Sequence, residues 1–288
     1  VIDYRGVDSV KIGWLLMALV LVFGGCPNGS VKEEAVHRGA RDVRCVSLVP
    51  SITEIIYALN AQALLLGTTN QCDYPAEAKM VYKVGDFQTP DLERIVALKP
   101  TVVFATVPMH ARLIEKLKEM KIRVYISEPV DIASVFTEIE SVGAILKREE
   151  RTRHLVDSLR QWLSMLPVFA DTPRVYIEIS AIPLMSVGSG VFINDLIRQA
   201  GGVNIFEDVK QPYPIVESEA VVKRNPAVIL ILHPGASAQD VRERVGWQDV
   251  IAVQKGRVFD GLDEDLFSRP GPRVVEGIYL LARILHSR

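Results

Sequence analysis

The chain has little surplus of either charge. Its 33 Lys and Arg are set against 35 Asp and Glu, a formal net charge of −2 at pH 7. Binding to a phosphate backbone needs a basic excess or stripe, so nucleic acid is not an expected partner. There is no long Lys/Arg run and no low-complexity tract. The apolar stretch Ile12–Phe23 falls short of the roughly 20 residues that cross a bilayer. Only three cysteines occur, Cys26, Cys45 and Cys72, and no pair has metal-ligand spacing. Cys45 opens one expected strand and Cys72 follows the end of the next. In neighbouring parallel strands these are opposite ends, which argues against a disulfide. Familiar catalytic motifs are also missing. There is no G-x-x-x-x-G-K-[ST] loop and no H-E-x-x-H, and Gly188-Ser189-Gly190 lacks the G-x-S-x-G spacing. Ser189, His233 and Asp265 can be written as a triad of a secreted α/β hydrolase, but order along the chain supplies no geometry. No enzyme activity is expected.

What is present begins at the amino terminus. Arg5 and Lys11 precede the apolar stretch, and small residues Gly24-Gly25 lead to Cys26. Charged, apolar and small-residue regions in that order form a signal peptide. The expectation is a lipoprotein-type signal over 1–25, acylation of Cys26 and a tether over 26–42. An ordinary signal peptide or an anchor helix is the other reading. On the first reading the body sits in the periplasm or on the outer face of the cytoplasmic membrane, held by lipid.

The body contains an internal repeat. Phe87, Asp91, Glu93, Ile95, Val96 and Pro100 recur 126 positions later as Tyr213, Glu217, Glu219, Val221, Val222 and Pro226. Each copy leads into an apolar strand. A period that occurs twice implies two like lobes rather than a solenoid. Strands and helices alternate over 43–128 and again over 171–288, which implies parallel sheets covered on both faces. Ser51 or Thr53 is expected to cap a helix ending near Leu59. Between the lobes, Asp131–Leu166 has helical apolar spacing and no proline. As one helix it would span roughly 54 Å. It reads either as two packed helices broken near Gly143 or Lys147, or as a rigid strut.

Several side chains qualify for a site on their own chemistry. Phe87 and Tyr213 lie in Gly- and Pro-rich loops and offer apolar faces at low entropy cost. Glu93 and Glu219, one per lobe, could meet a two-fold symmetric basic surface, and each also suits a helix amino terminus. His110 and His233 each follow a lobe's strand, where α/β folds bind ligands. They could coordinate a metal or haem iron, or simply be solvated.

The runs Ser47–Glu54, Cys72-Asp73-Tyr74-Pro75, Val84-Gly85-Asp86-Phe87, Asp91–Pro100, Ala200–Phe206 and Arg269-Pro270-Gly271-Pro272-Arg273 resemble the helical-backbone (class III) solute-binding proteins of ABC importers. In motif the cobalamin-binding members are nearest, with siderophore- and haem-binding relatives beyond them. The resemblance implies two Rossmann-like α/β lobes joined by one long backbone helix, over 129–170. It implies a binding protein that captures a cobalamin or other corrinoid, or a ferric siderophore, between its lobes. Haem or a metal ion is the alternative cargo. Carried over by position, Phe87, Tyr213, Gln71, Asp265 and Arg269 line the cleft. Gln71 and Thr106 stand where cobalamin-binding members have aromatics. Glu93 and Glu219 become contacts to the two subunits of a permease dimer, which works with ATPase subunits. A monomer is expected.

Overall fold

The computed structural model describes residues 43–287. The expected signal segment 1–25 and the whole of the expected tether 26–42, Cys26 included, therefore lie outside the described residues. The first lobe runs β1 (Cys45–Ser47), α1 (Pro50–Ala58), β2 (Leu65–Thr68), α2 (Leu92–Ala97), β3 (Val102–Ala105), α3 (Ala111–Glu119) and β4 (Arg123–Ile126). Two linker helices follow, α4 (Ile132–Ile145) and α5 (Glu149–Ser164). The second lobe contains β5 (Arg174–Glu178), a hairpin of β6 (Ser180–Ala181) and β7 (Leu184–Met185), α6 (Phe192–Gln199), β8 (Val203–Asn204) and α7 (Ser218–Arg224). It continues through β9 (Val228–Ile231), α8 (Ala238–Arg242), α9 (Ile251–Gln254), β10 (Val258–Phe259), α10 (Asp265–Ser268) and α11 (Val274–His286).

The two sheets have the same plan. The first is ordered β2-β1-β3-β4 and the second β8-β5-β9-β10, with every pairing parallel. Parallel neighbours need a crossover, which the intervening helices supply. The repeat maps onto α2–β3 and α7–β9, where Ile95 and Val221 are both fully buried. Alternate strand residues face opposite sides. Val102 and Phe104, Val175 and Ile177, and Val228 and Leu230 all join one core that runs from the first lobe through the linker into the second. Their neighbours Val103 and Ala105 join a separate core in the first lobe, and Tyr176, Ile229 and Ile231 one in the second. Both lobes and the linker thus contribute to one central core.

Two expectations are corrected here. Helix α1 starts at Pro50, with Val49 at the cap, because proline is suited to the first helical position. Ser51 and Thr53 fall inside the first turn, and the Thr53 hydroxyl turns to Ser47 Oγ at 2.9 Å. The linker is two helices rather than one. Asp131 caps α4 through Ser134, and the helix ends where Lys147 takes φ 56°. Helix α5 then folds back along α4. Gly143 faces Thr152, whose side chain a Cβ would overlap, and Glu140 pairs with Arg160 at 3.1 Å. Partners that separate as the chain moves away from the turn mark an antiparallel hairpin, which excludes a straight strut. The start of α4 is tied to the second lobe, where Asp195 accepts from the Ile132 N–H at 2.8 Å.

Both described cysteines are free and buried. Burial pushes the Cys45 thiol up to about 12, so it packs as an inert small hydrophobe.

Candidate functional site: the cleft between the lobes

A cleft of about 790 Å³ opens between the lobes. Its walls begin where parallel strands end. Val49 follows β1, Gln71 β2, Thr106 β3, Ser127 β4, Ile179 β5 and Leu232 β9. Loops leaving the carboxyl ends of parallel strands are the usual ligand site of such sheets, and the volume lies within the common range for small-molecule pockets. Phe87, Gln71, Tyr213, Asp265 and Arg269 all stand on this one surface. The first two come from the amino-terminal lobe and the other three from the carboxyl-terminal lobe, so the aromatics approach from opposite sides.

The Phe87 loop is fastened by hydrogen bonds. Gln71 Oε1 accepts from the Phe87 N–H at 2.7 Å. His110 Nδ1 accepts from the Thr106 N–H at 3.1 Å, so its Nε2 carries the proton and donates to the Phe87 carbonyl at 2.6 Å. Burial lowers the His110 pKa and keeps the ring neutral. His233 is engaged in the same way. Its Nδ1 accepts from the Gly235 N–H at 2.9 Å, and Nε2 donates to Glu178 at 3.1 Å. Each histidine thus has both ring nitrogens committed to protein groups, and neither lies on the cleft wall. This arrangement differs from both readings offered for the two histidines, a metal or haem-iron ligand and a solvated side chain. Among the described residues no group of three or more His, Cys, Asp or Glu is placed to hold a metal ion. The paper triad is also dispersed: Ser189 Oγ donates to the Val209 carbonyl, His233 to Glu178, and Asp265 pairs with Arg269.

Arg269 is not a free hook for a ligand. Its guanidinium meets Asp73 and Asp265 at 2.8 Å each and Glu54 at 3.3 Å, and it donates to the Gln71 carbonyl at 3.2 Å. Burial pushes the Asp265 carboxyl up against the lowering pull of Arg269. The charged residues of the wall are Glu128, Glu264, Asp265 and Arg269, a formal charge of −2 for the cleft lining. Sequence reasoning missed Glu54, Asp73 and Arg273 as partners in this cluster. They sit in recognisable motifs, but nothing local marks a contact between residues about 200 positions apart.

Behind the wall is a second feature that the sequence did not flag. Glu138 on α4 is 5% exposed, and its Oε2 has no partner. Burial raises its pKa from 4.5 to about 7, with the cleft-lining Ser127 hydroxyl bonded to it as the lesser, opposing influence. The folded protein therefore holds this proton above the pH at which the unfolded chain loses it. Its stabilising share is complete below about pH 4.5 and is lost as pH rises through about 7. Glu138→Gln is expected to gain on the order of 3 kcal/mol over the parent at pH 8 and little at pH 4.5. Denaturant unfolding at the two values tests this; an equal difference at both would refute the buried proton.

Glu93 and Glu219 stand in the first turns of α2 and α7, both exposed. Among the described residues neither forms an ion pair. They lie outside the cleft lining.

Two α/β lobes of identical strand order, joined by a helical hairpin and parted by a cleft at their strand ends, define a two-lobed binding protein. The chain belongs to the periplasmic binding protein family, which it matches over residues 45–264. It is 33% identical over 254 residues to YvrC, an uncharacterized ABC transporter substrate-binding lipoprotein of Bacillus subtilis, across 84% of this chain and 80% of that one. It is 30% identical over 245 residues to the vitamin B12-binding protein of Vibrio vulnificus, across 82% and 87%. Among solved structures, the periplasmic vitamin B12-binding protein BtuF of Vibrio cholerae matches with a TM-score of 0.69 at 26% identity, over 84% of this chain and 96% of that one. A possible iron-binding periplasmic solute-binding protein of Staphylococcus epidermidis gives 0.74 at 27%, over 85% and 98%. The protein is the extracytoplasmic substrate-binding component of an ABC transporter, acting on a small-molecule ligand together with permease and ATPase components. No helix among the described residues is long and apolar enough to cross a membrane.

Proposed function

We propose that the cleft captures a corrinoid of the cobalamin type and delivers it to the permease. The observation that carries this reading is the cleft's charge. Two aromatics from opposite lobes offer apolar faces, while the guanidinium of Arg269 is paired with Asp265 and Asp73 and the carboxylates of Glu128 and Glu264 remain on the wall. A polyanionic ferric catecholate would enter a field of its own sign, and among the described residues of the cleft wall Arg269 is the one Lys or Arg. A large, amide-rich ligand of low net charge is not repelled. The relatives named for vitamin B12 support the same class. Calorimetric titration with cyanocobalamin, a ferric tris-catecholate and haemin tests it. Calorimetry is the suitable readout because neither Trp162 nor Trp247 lines the cleft. Cyanocobalamin is expected to bind tightest; preference for the ferric siderophore or haemin would overturn the corrinoid reading.

Phe87, Tyr213, Gln71 and Asp265 are the side chains proposed to touch the ligand, with Arg269 as part of the wall. Glu93 and Glu219 are proposed to dock onto basic residues of a two-fold permease. Their exposure on equivalent helices, without ion-pair partners among the described residues, supports this. In reconstituted transporter, Glu93→Arg with Glu219→Arg is expected to abolish association while ligand affinity stays the same. Unchanged association would remove the docking role. Cys26 is proposed to carry the lipid, as the name of the Bacillus relative suggests; an intact mass of the membrane-extracted protein without an acyl increment would remove the anchor.

A further inference from the structure

The ion cluster at the edge of the cleft crosses from lobe to lobe. Glu54 belongs to α1 of the first lobe, and its side chain is 2% exposed. Both of its oxygens are taken by Arg273 of the second lobe, Nε to Oε2 at 2.9 Å and Nη2 to Oε1 at 2.8 Å. Arg269, also of the second lobe, reaches Glu54, Asp73 and the Gln71 carbonyl. The two arginines flank Pro270-Gly271-Pro272, whose prolines restrict the backbone between them. Gly271 lies against Ser51 of the first lobe, where a Cβ would come within 3.4 Å of the Ser51 carbonyl. Arg273 also stacks over the Tyr74 ring at 3.9 Å from its centroid, a favourable cation–π distance.

We propose that Glu54 is the positioning residue of the cleft, latching the lobes through Arg269 and Arg273 so that the cleft walls stand at one separation. A bidentate carboxylate–guanidinium pair is directional as well as strong. A buried carboxylate stripped of its guanidiniums is costly where it stands. The cluster therefore favours a single lobe arrangement over a graded series. Its register reaches the ligand surface through a short chain of contacts. Arg269 holds the Gln71 backbone, Gln71 Oε1 holds the Phe87 N–H at 2.7 Å, and His110 holds the Phe87 carbonyl. Glu54 itself is absent from the cleft lining, so it acts on binding only through these neighbours. The role in binding rests on the cleft being the ligand site. The role in lobe spacing does not.

The test measures lobe spacing directly. Spin labels go on exposed positions, Lys118→Cys in α3 and Val245→Cys in the second lobe, with Cys26→Ser; buried Cys45 and Cys72 escape labelling. Electron–electron resonance on the ligand-free protein is expected to give one narrow distance in the parent and a broadened or shifted one in Glu54→Gln. If the competent arrangement falls to about a tenth of the population, cyanocobalamin affinity falls about tenfold. Should Glu54→Gln not fold, Asp73→Asn carries the same expectation, since that side chain is 43% exposed. An unchanged distance distribution, even with a lower melting temperature, would make the cluster merely structural and overturn the proposal. Failure of cyanocobalamin to bind the parent would instead strike at the corrinoid reading and leave the distance measurement valid.

Discussion

Phe87→Ala combined with Tyr213→Ala is expected to weaken cyanocobalamin binding about 1,000-fold. Aromatic anchors at the centre of an interface commonly account for about 2 kcal/mol or more each, which is about 30-fold in affinity. The two rings come from different lobes, so their effects should add. Each ring also sits on a loop that the rest of the protein holds without help from the ring. The Phe87 backbone is fastened by Gln71 and His110, and the Tyr213 carbonyl accepts from Gln211 at 3.3 Å. Truncating either ring should leave the fold intact. Phe87 does meet His110 edge-on at 5.2 Å, so its loss costs a little stability as well. Calorimetry on the single and double variants, with circular dichroism as the control for folding, gives the answer. Affinity within threefold of the parent in the double variant would mean that the ligand does not use these faces.

Arg244→Ala is expected to lower the melting temperature by about 10 °C. Glu178 at the end of β5 is fully buried, and Arg244 holds both its oxygens at 2.6 Å. Removing one partner of a buried pair leaves the other charge without compensation, a loss of about 3–5 kcal/mol. In a domain of this size each kcal/mol moves the midpoint by about 2–4 °C. Arg244 also lies over the Trp247 ring at 4.9 Å, so packing is lost with the charge. The paired change Glu178→Gln with Arg244→Met should cost clearly less, because no uncompensated charge remains. Calorimetric melts of the two variants separate these effects. If the single change were as mild as the double, the pair would contribute nothing specific. Ligand binding is a second readout: His233 depends on the same carboxylate, and Leu232 beside it is on the cleft wall.

Most of the framework was legible because it depends on short-range rules. Unbroken apolar runs in β3, β5 and β9 marked strands with two covered faces. The helical apolar spacing that begins at Asp131 marked the start of α4, where the Asp131 carboxylate accepts from the Ser134 N–H. The 126-residue repeat carried the like architecture of the lobes, since equal spacing of an acid, an apolar pair and a proline builds the same helix–strand unit twice. Together with the family motifs this was enough to bring five side chains to one cleft.

Other features escaped because no local pattern encodes them. The polar stretch from Lys147 to Arg153 suits a solvated straight helix as well as a turn and a new first turn. The fold-back became decisive only when Gly143 let Thr152 come close. His110 and His233 looked available as ligands. Which nitrogen carries the proton depends on backbone groups that the fold brings to them.

By itself, then, the sequence determined the class of fold, the two-fold repetition and the aromatic loops, because propensity, periodicity and capping act over a few residues. Only the tertiary structure decided that Arg269 is clamped rather than free, that the cleft lining carries a net negative charge, and that Glu54 ties one lobe to the other. Those facts belong to groups some 200 positions apart, such as Glu54 and Arg273. Their chemistry exists only once both lobes have folded and met.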